Sequence, residues 1–260
     1  MVHNDEPDGV PVVLIHGLGW DAERLWLPTI EEFGPGSWRF LAPDMRGVGQ
    51  SSKLDRPYTI SAYADDIETV IEALKVDKCV LVGFSMGGMV ATQLAGRLGE
   101  RALGMALCCA GLASTPESEA EVDAMLARAS QLGAQAFASE QAAAIWHPEW
   151  AAANPGAVSD FKDWRAAMDQ QALFNAFRAP AGCDLTGTFA GLKCPIATVF
   201  AADDAFISLE DARATAAVNP RASFTVISPS GHMAPIEQPA QFNAALRDFL
   251  NRCAPAESAA

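Results

Sequence analysis

The sequence predicts an α/β fold: a mostly parallel sheet carrying a helical insertion. Three observations predict it. Short apolar runs that read as strands alternate with segments of helical periodicity. The strand-like runs are nearly continuously apolar, as expected where helices cover both faces of a parallel sheet. One long interval, from about Ser114 to Thr188, has helix-like spacing and no good strand candidate.

In chain order the expected strands are Val10–Ile15, Phe40–Ala42, Cys79–Gly83, Ala102–Cys109, Ile196–Ala201 and Ser223–Ile227. Between and after them lie the expected helices Ala22–Phe33, Ile60–Leu74, Met86–Leu98, Leu209–Val218 and Pro239–Asn251. The interval without strands is rich in Ala, Glu and Gln and is interrupted at Pro148, Pro155 and Pro180. It is expected to pack over one edge of the sheet. This divides the chain into a sheet domain, residues 1–113 and 189–260, and an insertion, residues 114–188. The insertion is dense in aromatic residues. Trp146 and Trp164, with Trp20 from the loop after the first strand, are candidates to line a pocket.

Composition narrows the function. With 260 residues and half of them apolar, a sizeable core can form without disulfides or a structural metal. The formal net charge of −14 argues against nucleic acid, whose binding rests on Lys and Arg contacts to phosphates, and against an anionic membrane surface. The first ten residues are polar and acidic and predict no secretion signal. No apolar run approaches the length of a membrane span. None of the six cysteines sits at a C-x-x-C spacing, so free thiols and a cytoplasmic location are expected. Cys79, Cys108 and Cys109 fall in strand-like runs and read as small core residues.

The most specific local motif is Gly83-Phe84-Ser85-Met86-Gly87, which follows a strand and opens a helix. That is G-x-S-x-G in the strand–turn–helix context that gives it meaning. Ser85 has to sit on a sharp, strained turn for its hydroxyl to project, and glycines on either side remove bulk from a crowded crossing. A serine hydroxyl is a poor nucleophile until a base takes its proton. Four histidines are available. His3 lies in the polar N-terminus and is expected to be disordered, while His147 sits in the insertion as a surface or pocket residue. His16 belongs to another loop. His232, in the loop between the last strand and the last helix, is the candidate base. A carboxylate should hold its imidazole in the right tautomer. The strand Ile196–Ala201 leads to Asp203-Asp204, and both aspartates compete. Asp204 is preferred because A-x-x-D-x-x-x-S resembles a common G-x-x-D-x-x-x-P pattern, leaving Asp203 as a turn or capping residue. Acyl transfer also needs donors for an oxyanion. The N–H of Met86, at a helix N-terminus, and that of Leu18, in the loop His16-Gly17-Leu18-Gly19-Trp20, are the candidates. His16 is expected to be structural.

Taken together, VVLIHGLG, FLAPDMRGVGQSS, LVGFSMGG, the Asp203-Asp204 strand end and PSGHMAPIEQPAQF resemble the α/β-hydrolase superfamily. The resemblance implies the α/β-hydrolase fold, a doubly wound sheet with residues 114–188 as a helical cap over Ser85. It gives the segment Asp44 to Ser51 a structural role in a turn. Within the superfamily, HPEWAAANPG, LTGTFAGLKCP and EQPAQFNAALRDFL look like 3-oxoadipate enol-lactonases and related esterases. Members usually carry a β-hairpin before the first buried strand. Only a short polar stretch precedes Val10 here, so reduced outer strands and an open sheet edge are expected, a place where a homo-oligomer partner would fit. Relatives that attack with an aspartate, the haloalkane dehalogenases and epoxide hydrolases, are set aside because the elbow residue is Ser85. The implied activity is cofactor-free and metal-free hydrolysis of a small carboxylic ester or lactone. C–C hydrolysis of meta-cleavage diketones, perhydrolysis, and a small-molecule receptor with weak turnover are the alternatives. If the substrate carries a carboxylate, one of Arg128, Lys162, Arg165 and Arg178 should enter the pocket to pair with it; all four as solvated helix residues is the competing expectation.

Overall fold

The computed structural model describes residues 1–254 other than Asp5. Residues 255–260, expected to belong to the sheet domain, lie outside the described residues. Seven strands form one sheet in the order β1-β3-β2-β4-β5-β6-β7. They are β1 (Val2–His3), β2 (Val10–Ile15), β3 (Trp38–Ala42), β4 (Cys79–Phe84), β5 (Ala102–Cys108), β6 (Ile196–Ala201) and β7 (Ala222–Ile227). Only β1 runs antiparallel to its neighbour; all the other pairs are parallel.

The two faces of the sheet bury different helices because strand side chains alternate. Val13, Ile15, Leu81 and Leu107 pack with α2 (Ile60–Ala73), α3 (Met86–Leu98) and α10 (Leu209–Ala217). Val12, Leu14, Val80 and Val82 pack with α1 (Ala22–Phe33) and α12 (Pro239–Cys253). That is the doubly wound arrangement. From β2 the chain winds outward to β3, then returns to place β4 on the other side of β2. The loops after β2 and β4 therefore flank the point where the winding reverses, where sites in such sheets form.

Local chemistry sets the element ends. Asp21 caps α1 by accepting from Arg24 N, Thr59 caps α2, and Ser208 caps α10. Asp44 Oδ1 also accepts from Ala22 N at 2.9 Å, and Ser51 Oγ donates to Asp44 O at 2.7 Å, so the Asp44–Ser51 segment is a turn locked to the start of α1. Strand β3 begins at Trp38, earlier than the apolar run indicates, because half-buried Trp38 and Arg39 pair through their backbones with Val10 and Pro11.

His3 corrects an expectation. It is not disordered: it lies in β1, paired with Leu41. Backbone pairing at an open edge needs no apolar side chain. Asn4 supplies the anchor, its Nδ2 donating to Trp38 O at 2.9 Å and its Oδ1 accepting from Phe40 N at 2.7 Å. Among the described residues β1 is two residues long.

The interval after β5 folds as α4 (Pro116–Leu132), α5 (Ala134–Ile145), α6 (Pro148–Ala153), α7 (Pro155–Ala167) and α8 (Gln170–Phe177), followed by α9 (Thr186–Gly191). Pro116, Pro148 and Pro155 open helices, where the missing N–H has no intrahelical partner to lose. The two ends of the interval are tied together. Ser114 N donates to Cys183 O at 2.9 Å and Leu185 N to Leu112 O at 2.8 Å. Val122 of α4, Gln141 and Ile145 of α5, Arg165 of α7 and Phe177 of α8 line one cavity with Ser85 and His232. No helix among the described residues is long and apolar enough to cross a membrane.

Candidate active site

Strand β4 delivers Ser85 to a turn with φ 53° and ψ −128°, a left-handed conformation that an L-residue rarely adopts. The flanking glycines make the turn sterically accessible. A Cβ on Gly83 would lie 2.1 Å from Gly87 O, and one on Gly87 would lie 2.3 Å from Ile15 O. Helix α3 can therefore start directly above the strand end and close against the loop after β2.

His232 Nε2 stands 3.0 Å from Ser85 Oγ, and His232 Nδ1 stands 2.8 Å from Asp204 Oδ2. Asp204 accepts from two loop amides through its other oxygen, Phe206 N at 2.8 Å and Ile207 N at 3.3 Å. Its side chain is fully buried. An acceptor on Nδ1 leaves Nε2 unprotonated in the neutral ring, as a hydrogen-bond acceptor facing Ser85 Oγ. Asp203 faces elsewhere. It is half exposed, with Oδ2 3.7 Å from His147 Nε2. It lies in the turn after β6, as expected, and caps no helix; its side chain faces His147 of the insertion rather than His232.

Sequence reasoning missed what holds His232 in place. Glu237, in α11 (Ala234–Glu237), is buried. Its carboxylate accepts from Gly231 N at 2.9 Å, Met233 N at 3.1 Å and His147 N at 3.0 Å. The two amides flanking His232 and the first residue before α6 thus share one acceptor. Burial raises the Glu237 carboxyl above its ordinary range, opposed by these three amides. Its only sequence signal is an acid five positions after the histidine, which reads equally as a helix surface residue. Phe206, half exposed, was also missed; its ring meets His232 edge-on at 4.9 Å.

The loop after β2 is fixed from beneath. Met45 N donates to His16 Nε2 at 2.9 Å, so the proton sits on Nδ1, which donates to Gly17 O at 2.8 Å. Burial lowers the His16 pKa and favours this neutral form. Leu18 and Met86 both line the cavity beside Ser85. Met86 is the first residue of α3, where the N–H has no intrahelical acceptor.

That cavity holds about 300 Å³. Its polar side chains are Ser85, Gln141, Arg165 and His232, and nearly all the rest of the lining is apolar. Burial pushes the Cys109 thiol well above its ordinary range, so the sulfur on the wall stays protonated and does not compete as a nucleophile. Of the three tryptophans expected to line a pocket, Trp20 does. Trp164 and Trp146 pack behind it, with ring centroids 5.4 Å and 6.0 Å away. The reason is that Trp20 is the hub joining the insertion to the sheet, and Phe161 stacks on it as well, at 5.4 Å. Of the four cations considered in the insertion, Arg128 pairs with Glu140 and Arg178 with Asp123 on the surface, and Lys162 is only half buried. Arg165 alone lines the cavity. Among the described residues no group of three or more His, Cys, Asp or Glu could hold a metal ion.

A strand-elbow serine in hydrogen-bond contact with a histidine, on a doubly wound sheet, defines a class of hydrolase. The model of the alpha/beta hydrolase family matches residues 12–245, and the chain belongs to that family of enzymes. It is 29% identical over 253 residues to RutD of Variovorax paradoxus (strain S110), named provisionally as a carbamate hydrolase; the match covers 94% of this chain and 93% of the relative. Among solved structures it is similar to a thermophilic esterase from Thermogutta terrifontis, with a TM-score of 0.87 and 27% identity over 97% of this chain and 93% of that one. The enol-lactonase from Burkholderia xenovorans LB400 shares the fold, with a TM-score of 0.86 and 24% identity over 94% and 92% of the two chains.

Proposed function

We propose that this enzyme hydrolyses small carboxylic esters or lactones through an acyl-enzyme on Ser85. The observation that carries the reading is the continuous chain Ser85–His232–Asp204, at 3.0 and 2.8 Å. In the first step His232 Nε2 takes the Ser85 proton as Oγ attacks the carbonyl carbon. The Leu18 and Met86 amides stabilise the oxyanion. The C–O bond to the leaving alkoxide breaks, and His232 returns the proton to that oxygen. In the second step His232 takes a proton from water, the hydroxide attacks the acyl carbon, and Ser85 leaves with the proton. Overall, ester and water give acid and alcohol. Asp204 keeps Nδ1 protonated and stabilises the imidazolium. Residues 114–188 act as a cap that closes the site over the sheet domain, 1–113 and 189–260.

A carbamate carbonyl suits the same steps, and the similarity to RutD favours carbamates as a second substrate class. The test is Ser85→Ala assayed on 4-nitrophenyl esters, simple lactones and carbamates. Hydrolysis should fall by about 10³-fold or more, because members of such a group act as a unit. Retained hydrolysis would exclude the acyl-enzyme.

A further inference from the structure

Arg165, on α7, is only 3% exposed and lines the cavity that holds Ser85 and His232. Its surroundings leave the charge unanswered. Nη1 donates to Gln141 Oε1 at 3.1 Å, and Nε is buried with no partner. The guanidinium lies over the rings of Phe161 and Trp164, 4.9 and 5.6 Å from their centroids. These rings orient the guanidinium plane without neutralising it. Among the described residues no carboxylate pairs with it. The chain has 32 acidic residues, so the lack of a partner here is not for want of acids. Burial alone pushes the guanidinium down to about 9, which leaves it charged at neutral pH.

An isolated buried cation is strongly unfavourable, and a methionine would fill the same space between the rings without the charge. The loop that faces it is shaped to admit it. A Cβ on Gly19 would stand 2.7 Å from Arg165 Nη1, so glycine at that position seats the guanidinium directly against the loop bearing Leu18. Gln141 spends its carbonyl oxygen on Arg165, and its amide N–H groups remain as donors on the same wall.

We infer that Arg165 and Gln141 form an anion seat for a carboxylate on the substrate, so that the preferred substrates are short esters or lactones bearing a free carboxylate. The inference rests on the Ser85 hydrolysis proposed above. The fork of the guanidinium suits a planar carboxylate. The rest of the wall is nearly all apolar and offers little to the third oxygen of a phosphate. With a net charge of −14 the molecule as a whole repels anions, so a preference for an anionic ester has to arise locally.

The test compares mono-4-nitrophenyl glutarate with 4-nitrophenyl 5-methylhexanoate, in which an isopropyl group replaces the carboxylate. The wild-type enzyme should show the higher kcat/KM on the glutarate. In Arg165→Met the ratio of the two kcat/KM values should fall by about 10- to 100-fold, as expected for loss of hydrogen bonds to a charged group. Arg165→Lys should restore part of it. Arg178→Met, which removes an exposed cation that pairs with Asp123 and does not itself line this cavity, should leave the ratio as in the wild type. An Arg165→Met ratio equal to the wild-type ratio overturns the inference. Should Arg165→Met fail to fold, the wild-type ratio decides: a value at or below one overturns it. Ser85→Ala separates the two levels. If it keeps activity on both esters, the hydrolysis mechanism fails. If it loses both while the ratio ignores Arg165, only the anion seat fails.

Discussion

On the sheet side of the cavity, Ser85, His232 and Asp204 stand on loops at strand ends, and each is held by short hydrogen bonds to groups that are themselves held. On the helical side, the wall formed by Val122, Gln141, Ile145, Arg165 and Phe177 is mostly apolar, and its one charge has no counterion among the described residues. The first wall is over-determined: Gly83 and Gly87 admit no side chain, and Glu237 ties the His232 loop to the start of α6. The second is joined to the first through Trp20 and its ring contacts. Chemistry depends on angles and distances that hydrogen bonds fix. In the proposed anion seat, selection depends on shape and one charge, which can change without disturbing the proposed reaction.

Substitutions on the two sides should therefore differ in kind. The largest effect is expected from Asp204→Asn, which favours the wrong imidazole tautomer and should lower kcat by about 10⁴-fold with thermal stability nearly unchanged. Asp203→Asn should change kcat by less than about 3-fold, since that carboxylate is half exposed and 3.7 Å from His147. Equal losses in both would break the assignment of Asp204. Next comes Gly87→Ala, which drives a methyl into Ile15 O and should reduce stability by about 3 kcal/mol or more in denaturant titration. Glu237→Gln turns one acceptor oxygen towards its amides into a donor. A loss of about 2 kcal/mol is expected, together with about a 10-fold lower kcat from a displaced His232. On the helical wall, Val122→Ala should move KM by about 5-fold or less and leave kcat in place, as removal of a partly buried methyl pair would. A kcat collapse there would erase the contrast.

The smallest effect is a pH dependence. The His16 pKa is lowered in the folded state by burial, while the unfolded chain has the ordinary value of 6.5. Between the two, the unfolded state binds more protons, so stability rises with pH through that window and declines as pH falls below about 6.5. His16→Asn should be less stable at neutral pH and should flatten this slope, measured as denaturant midpoint against pH.

The same contrast explains what the sequence made legible. The strands, the elbow and His232 could be read because apolar runs, turn glycines and one loop histidine are local patterns with a physical cause. Asp204 could be ranked above Asp203, though not separated from it, since only the fold shows which side chain reaches the imidazole. Glu237 could not be read: three amides converge on it from His147, Gly231 and Met233, and nothing local announces that. Trp146 and Trp164 are pocket candidates in the sequence because the insertion is dense in aromatic residues; their packing behind Trp20 is a tertiary fact. Arg165 stood among four cations of the insertion with nothing in the sequence to single it out. His3 entered a strand through backbone pairing and the Asn4 side chain, which hydropathy does not register.

The most direct test is labelling with a fluorophosphonate, which reacts with a serine only where a base activates it, followed by peptide mass spectrometry with hydrolysis measured in parallel. One label per chain, on Ser85, with hydrolysis falling in step and labelling slowed in Asp204→Asn, is the predicted result. Full labelling with hydrolysis intact, or hydrolysis by a chain whose Ser85 takes no label, would contradict it.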